Sequence, residues 1–383
     1  MIVVLLVSTG AAWESAALAA LDEHPGTVVL RRCVDVPDLL AAAGTGQADV
    51  AVLDADLPGL DRRVVDELGR HGLRTLAIAS SPDTQTHGLW AWPSARVAEL
   101  AELLTQGPDQ LTPTPRPAPS GAAAQGRIVT VWGPGGAPGR TTLATALAGE
   151  LGGRGLTPLL VDADPYGGTV AQQLGILDET SGLLAVARLV ADGDPLVERF
   201  DAVQRRLSDR VRVLTGLPRA DRWGELRPGV LTTLLERARH DGPVVVDTGF
   251  SIEPDASYAA GRPERNGLTR EALEVADDVV LVGTADPVGL TRLARARAEL
   301  GELLPEGRTT LVVNRMRSSL GWRESDVVAL LRRVGAAEAV HVLPDDQTAT
   351  DRAVVAGRLL VESGESALRR AVARLVDALA VRS

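Results

Sequence analysis

Short apolar runs rich in Val, Leu and Ile alternate with helically spaced segments along most of this chain. Few folds accept that alternation. Strands separated by helices build parallel sheets with helices on both faces. The first block predicts strands at 2–7, 27–30, 50–53 and 73–79, with helices at 11–21, 36–43, 60–68 and 94–104. The second predicts strands at 128–132, 158–161, 211–215, 244–246, 279–282, 310–313 and 340–343. Its helices are expected at 141–151, 231–239, 290–304 and 325–334, and the polar stretch 251–270 reads as a loop.

Between the blocks runs GPDQLTPTPRPAPSGAAAQG, rich in Pro and Ala and without apolar periodicity, which reads as a semi-extended linker. The expected organisation is therefore a flavodoxin-like domain at 1–106, a linker at 107–126 and a mostly parallel-sheet domain at 127–383. Hydrophobic residues make up 45% but aromatics only 3%, so the cores must be aliphatic, as in helix-covered sheets. The opening MIVVLLVSTG lacks a basic flank and reads as a buried strand rather than a signal peptide. No apolar run is long enough to span a bilayer, and Cys33 is the only cysteine, which fits a reducing cytoplasm. A net charge of −10 argues against a dominant interest in nucleic acid.

The strand IVTVW runs into GPGGAPGRTT and then a helix, the context a phosphate loop needs. Glycines let backbone N–H groups approach phosphate, and the helix N-terminus adds partial positive charge. Thr141 stands where a hydroxyl would ligate Mg²⁺, and Thr142 where one would reach another phosphate oxygen. VDADPYGG puts Asp162 and Asp164 at the end of the next strand, and VVVDTG puts Asp247 at the end of another. Ligands of parallel α/β sheets gather at strand C-termini, so these carboxylates converge on the loop. Asp247 suits Mg²⁺ through water, and Asp164 suits orienting a nucleophilic water. Asn314, in LVVNR, offers an amide to a purine edge.

With these motifs in this order, residues 127–383 resemble the MinD/ParA family of deviant Walker A P-loop ATPases, and within it the CpaE/TadZ and actinobacterial septum-site proteins with an N-terminal receiver-like domain. GGAPGRTT matches the phosphate loop, DAD the switch I aspartates, DTG the Walker B and switch II, and ADP, VVNR and LPDD later signatures. The resemblance implies a cytoplasmic Mg²⁺–ATP switch, dimerising face to face, recruited to a pole or septum. It implies protein partners in pilus or secretion assembly or in cell division. Gly135, Gly136, Gly139, Arg140, Thr141 and Thr142 would hold phosphates, Thr141, Asp162 and Asp247 the metal, and Asn314 the base, with Asp164 and Arg140 catalytic. The rival readings are a nucleotide-free scaffold and a ParA-like DNA-partitioning ATPase.

The chain departs from this family in one chemical respect: it contains no lysine. Arg140 fills the phosphate-lysine position, and the signature lysine falls on Pro134 or Gly135. Pro134 and Pro138 also remove backbone donors from the loop. The expectation is nucleotide binding with slow or absent hydrolysis, since losing a charge placed for the transition state costs roughly 10²–10³ in rate.

The first block resembles receiver domains at DVAVLDADLPGLD, with Asp54 at the phosphoacceptor position and Ser80 and Ser81 ending the next strand. The strand that should end in an acidic pair ends in Ser8-Thr9-Gly10, and Trp92-Pro93 stands where Lys-Pro is expected. Without the acidic pair Mg²⁺ is held weakly, which points to a pseudo-receiver that binds a partner or dimerises. At the other end, 366–381 has amphipathic spacing. A membrane-binding helix and a helix docked on the sheet are both open there, the second being commoner. Arg292 to Arg297 read as a solvated helix face, with nonspecific DNA binding as a lesser alternative.

Overall fold

The structure, a computed structural model, describes residues 2–8, 10–55, 57–60, 62–79, 91–105, 125–136, 138–177, 180–191, 199–254, 262–305, 307–333 and 339–379. Its contacts divide into two compact units, whose described residues lie within 2–105 and within 125–379. The expected linker at 107–126 lies outside the described residues save its last two, as do Thr9, Asp56, Ser80 and Ser81.

The first unit runs β1 (Ile2–Val7), α1 (Glu14–Glu23), β2 (Thr27–Cys33), α2 (Val36–Ala43), β3 (Val50–Asp54), α3 (Arg62–Arg70), β4 (Arg74–Ala79), β5 (Ala91–Pro93) and α4 (Leu100–Thr105). Its strands lie in the order β2-β1-β3-β4-β5, every pair parallel. Alternate residues of each strand serve opposite faces, Leu5 and Val7 packing into one core and Val4 and Leu6 into the other. The predicted helix at 94–104 is a 3₁₀ segment, Ser94–Glu99, followed by α4. Trp92-Pro93, unassigned in the sequence, forms the edge strand β5, where proline's missing N–H is harmless. Burial pushes the Cys33 thiol up to about 11, which makes it an inert core residue.

The second unit runs β6 (Ile128–Trp132), α5 (Arg140–Gly153), β7 (Leu159–Ala163), α6 (Val170–Gln173), α7 (Gly182–Ala191), β8 (Arg205–Arg206), β9 (Arg212–Leu214), α8 (Val230–Ala238), β10 (Val244–Thr248), α9 (Gly267–Glu274), β11 (Asp278–Thr284), α10 (Pro287–Leu303), β12 (Thr309–Met316), α11 (Glu324–Arg333), β13 (Val340–Pro344), α12 (Gln347–Val355) and α13 (Ala367–Leu379). Eight strands form one sheet in the order β13-β12-β11-β6-β10-β7-β9-β8, parallel except for β8 against β9. Strands buried on both faces are apolar without alternation, which is why β6, β10 and β11 were legible. Val245 and Leu160 face α5 and α13, whereas Val244, Val246 and Val161 face α7, α8 and α9.

Two expectations need correction. The loop predicted at 251–270 ends earlier, because α9 begins at Gly267 and buries Leu268, Ala272 and Leu273. The C-terminal amphipathic helix is not offered to a membrane. Leu368, Val372, Leu375, Val376 and Leu379 of α13 are buried in the core shared with α5 and β13. Among the described residues no helix is long and apolar enough to cross a membrane.

Candidate nucleotide-binding site

Parallel register decides what the site contains. Asp247 on β10 lies opposite Asp162 on β7 and Val131 on β6, each near the C-terminal end of its strand. Both carboxylates follow the parity of Val245 and Leu160, so they point to the α5 side of the sheet. There β6 turns into residues 133–139, and α5 starts. Gly139 is its N-cap at φ 98°, a conformation that favours glycine, and no side chain caps the helix. The backbone N–H groups of Arg140, Thr141 and Thr142 are therefore first-turn donors without an intrahelical acceptor. The predicted loop, the Thr pair and the three aspartates converge as expected.

Asp247 is fully buried, and among the described residues neither of its oxygens makes a hydrogen bond of ordinary geometry, although the Thr141 hydroxyl lies close enough to favour its charge. Burial, then the neighbouring Asp162 charge, holds its pKa well above the usual carboxylate range; Thr141 and Arg140 pull the other way. A buried carboxylate left without partners is costly unless something compensates it. A Mg²⁺ ion with its waters would do so, and Mg²⁺ characteristically uses one or two protein oxygens plus phosphates rather than an all-protein cage. Among the described residues no cluster of three or more His, Cys, Asp or Glu could hold a metal ion.

Asp162 is placed differently from Asp247. Its two oxygens accept the backbone N–H groups of Asp164 (3.3 Å) and Val170 (3.2 Å), so it anchors the segment that follows β7. A β-carbon at Gly168 or Gly216 would fall 2.2 or 2.6 Å from its carboxylate, which explains glycine at both positions. Burial pushes its pKa to about 7. Asp164 is half-buried and accepts from the Tyr166 N–H (2.9 Å). Its Oδ1 lies 3.2 Å from where a β-carbon of Gly249 would stand. It therefore borders the Asp247-Thr248-Gly249 turn.

Arg140 fits the loop at the position where the resemblance has a lysine. Its Nε donates to the Thr248 carbonyl (3.0 Å), and Nη1 donates to the carbonyls of Gly133 and Pro134 (both 3.1 Å). Three of its five N–H groups thus bind the guanidinium to the loop's own carbonyls. Nη2 donates to nothing among the described residues. Desolvation lowers its pKa, opposed by Asp247 and Asp164, and it stays charged.

Asn314 is held against the loop. Its Nδ2 donates to the Pro138 carbonyl (2.8 Å), and its Oδ1 accepts the Arg315 N–H (2.9 Å). These bonds use one of its two N–H groups and one of its oxygen's two lone pairs, so Asn314 braces the loop and still has a donor and an acceptor position besides. A cleft of about 510 Å³, open mouth included, is lined by Gly139, Thr142, Asn314, Arg315, Pro344 and Asp346 among others. Arg315 is the one non-glycine residue at positive φ (58°) among those described, where β12 and β13 slip register. Strain of that kind is common at binding sites.

An aromatic rim, unforeseen from the sequence, borders the loop. The Phe250 and Tyr166 rings lie 4.7 Å apart, and Arg265 stacks over Tyr166 at 4.3 Å. The Tyr166 hydroxyl donates to Asn266 (2.7 Å), whose amide reaches Ser251 and the Glu253 carbonyl.

Solved structures share this fold. The cell division ATPase MinD of Pyrococcus furiosus is similar over 66% of this chain and 98% of its own, at 21% identity and a TM-score of 0.53. Over the matched two thirds of the chain the fold is that of the MinD and ParA ATPases. The septum site-determining protein MinD of Pyrococcus horikoshii, solved with Mg-ADP, covers 66% of this chain and 96% of its own at 18% identity and a TM-score of 0.53. A ParA family ATPase from Chlorobium tepidum covers 67% and 100% at 18% identity, with a TM-score of 0.55. At these identities the likeness shows the fold. No protein-family model matches the sequence, and no curated protein matches it significantly.

Proposed function

We propose that the chain is an ATP-binding positioning switch, in which Mg²⁺–ATP at the 133–142 loop governs self-association and partner recruitment. The observation that carries this reading is Asp247, wholly buried with neither oxygen in a hydrogen bond of ordinary geometry, at the foot of a helix N-terminus that offers uncapped N–H donors. The similar MinD and ParA folds support it, one of them solved with Mg-ADP. In this reading the N–H groups of residues 139–142 cradle phosphate and the Thr141 hydroxyl and Asp247 hold Mg²⁺. The cleft by Asn314 then takes the base, and Asp164 orients water. Hydrolysis is slow, because Arg140 spends three N–H groups on carbonyls and no lysine exists to supplement it.

The finer assignment follows from the sequence. A CpaE/TadZ-type protein would be a cytoplasmic homodimer serving pilus or secretion assembly, or septum placement, at a pole or septum. Its first unit would act as a pseudo-receiver. The parallel strand order 2-1-3-4-5, with Asp54 ending β3, supports a receiver-like fold. Acetyl phosphate is expected to leave Asp54 unmodified, as intact mass would show, and stoichiometric phosphorylation would reject the pseudo-receiver reading.

Light scattering tests the switch. Mg²⁺–ATP should raise the solution mass toward a dimer and Mg²⁺–ADP should not. Steady-state turnover should be far below one per minute. Rapid turnover abolished by Asp164→Ala would reject slow hydrolysis, and a mass indifferent to nucleotide would reject the switch. A nucleotide-free scaffold is the second reading. The observation favouring it is the same Arg140, whose guanidinium closes the loop on its own carbonyls.

A further inference from the structure

We propose that Arg292 reads the terminal phosphate of the bound nucleotide and so makes the site distinguish a nucleoside triphosphate from a diphosphate. The inference rests on the nucleotide reading above. Arg292 lies on α10, far from the loop in sequence, yet its Nη1 donates to the Gly135 carbonyl (3.2 Å). A β-carbon at Gly136 would stand 2.2 Å from the same nitrogen, so the guanidinium lies directly over the outer end of the loop. On the next residue back, the Phe250 ring sits 3.6 Å from where a β-carbon of Gly135 would be. Gly135 and Gly136 are thus bordered by an aromatic ring and a cation carried on different elements.

The position is built rather than incidental. Asp286 caps α10, accepting from the N–H groups of Val288 (3.1 Å) and Gly289 (3.0 Å). Leu290, Leu293 and Ala296 bury the helix against β11. That fixes the first turns at the strand ends and points one exposed arginine across to the loop. Its bond to Gly135 is a single, solvent-exposed one to a neutral acceptor. Phosphate offers an arginine a stronger, charge-assisted and often bidentate partner. Exchange of a carbonyl for a phosphate oxygen is therefore favourable.

The terminal phosphate follows from direction. The cleft in which the nucleotide reading seats the base is lined by Gly139 and Thr142, at the helix end of the loop. A nucleotide seated there runs its phosphates along the loop toward Gly136, and the last one meets Arg292. Arg140, tethered beneath by three carbonyls, serves the inner phosphates through Nη2. A second cation is needed at the outer end, and Arg292 is the one whose guanidinium bonds the loop there.

Calorimetric affinities for Mg²⁺–ATP and Mg²⁺–ADP test this in the full chain, comparing Arg292→Ala, Arg292→Lys and Arg295→Ala. Arg295 is exposed one turn along and makes no hydrogen bond to the loop among the described residues, so its variant removes equal charge without the contact. Arg292→Ala should weaken ATP binding about 10–100-fold, the loss expected for a charge-assisted bond, and ADP binding less than about 3-fold. Arg292→Lys should recover part of the loss, and Arg295→Ala should change neither ligand. Equal weakening of ATP and ADP, or no weakening of either, would overturn the assignment. If the unaltered protein binds neither nucleotide, the nucleotide reading itself fails and this inference with it.

Discussion

Asp247→Asn is expected to stabilise the nucleotide-free protein while removing most of its Mg²⁺-dependent affinity for ATP. The carboxylate is fully buried, lies opposite Asp162, and makes no hydrogen bond of ordinary geometry through either oxygen among the described residues. A buried charge in that condition destabilises the fold, and a neutral isostere of the same shape should return about 1–3 kcal/mol. For a domain of this size that is roughly 2–4 °C of melting temperature per kcal/mol. The metal would lose its one uncommitted protein carboxylate, so ATP affinity in Mg²⁺ should fall roughly 100-fold.

The pH dependence carries the same logic. Burial raises the folded pKa of Asp247, and brings Asp162 and Glu271 to about 7. Glu271 accepts the N–H groups of Gly229 and Thr232 at the start of α8 from within the core. Groups raised on folding contribute stability that is complete below their unfolded values near 4 and is lost as pH rises through the folded ones. The nucleotide-free protein should therefore melt at a lower temperature at pH 8 than at pH 5.5, and Asp247→Asn should flatten that slope. Saturating Mg²⁺–ATP should also flatten it, because the cation favours the ionised carboxylate. Loss of stability in Asp247→Asn with ATP affinity intact would show that the carboxylate is structural.

Gly139→Ala is expected to disable the site by geometry alone. Gly139 sits at φ 98°, where a β-carbon is strained, and the added methyl would fall 2.5 Å from Nδ2 of Asn314. That amide is already held by Pro138 and Arg315, so moving it breaks one buried and one part-buried hydrogen bond. The combined cost is about 2–4 kcal/mol, and ATP affinity should drop beyond detection at micromolar concentrations. Gly224→Ala is the matched control, with nothing within 4 Å of its β-carbon position and no positive φ. Equal behaviour of the two variants in thermal melting and ATP titration would refute the bracing role given to Asn314.

Much of the second unit was legible because its strands are continuous apolar runs ending in acidic or glycine motifs. Val244–Thr248 and Asp278–Thr284 were found for that reason, with ends short by one or two residues. Short elements were not legible. Arg205–Arg206 has no pattern of its own, and α9 was hidden by the polar run before it. The aspartates and the loop were placed correctly by the rule of strand ends. What the side chains hold was not, because those partners are remote in sequence. Asn314 reaches Pro138, Arg292 reaches Gly135, and Arg140 reaches Thr248. Arg292 was read as part of a solvated face, and it is exposed, yet one signal pointed elsewhere. A helix capped by Asp286 just after β11 begins at the same sheet edge as the loop, so its first turns border the site.

The central claim is that the loop at 133–142, with Asp247 beneath it, is a Mg²⁺–nucleotide site. Calorimetric titration of ATP with Mg²⁺ and with EDTA, on the unaltered protein and on Thr141→Ala and Arg140→Ala, tests it most directly. The account predicts binding that requires Mg²⁺ and weakens in both variants, more steeply in Mg²⁺ for Thr141→Ala. No heat at millimolar ATP, or binding indifferent to Mg²⁺ and to both substitutions, would contradict it and leave the fold as a scaffold.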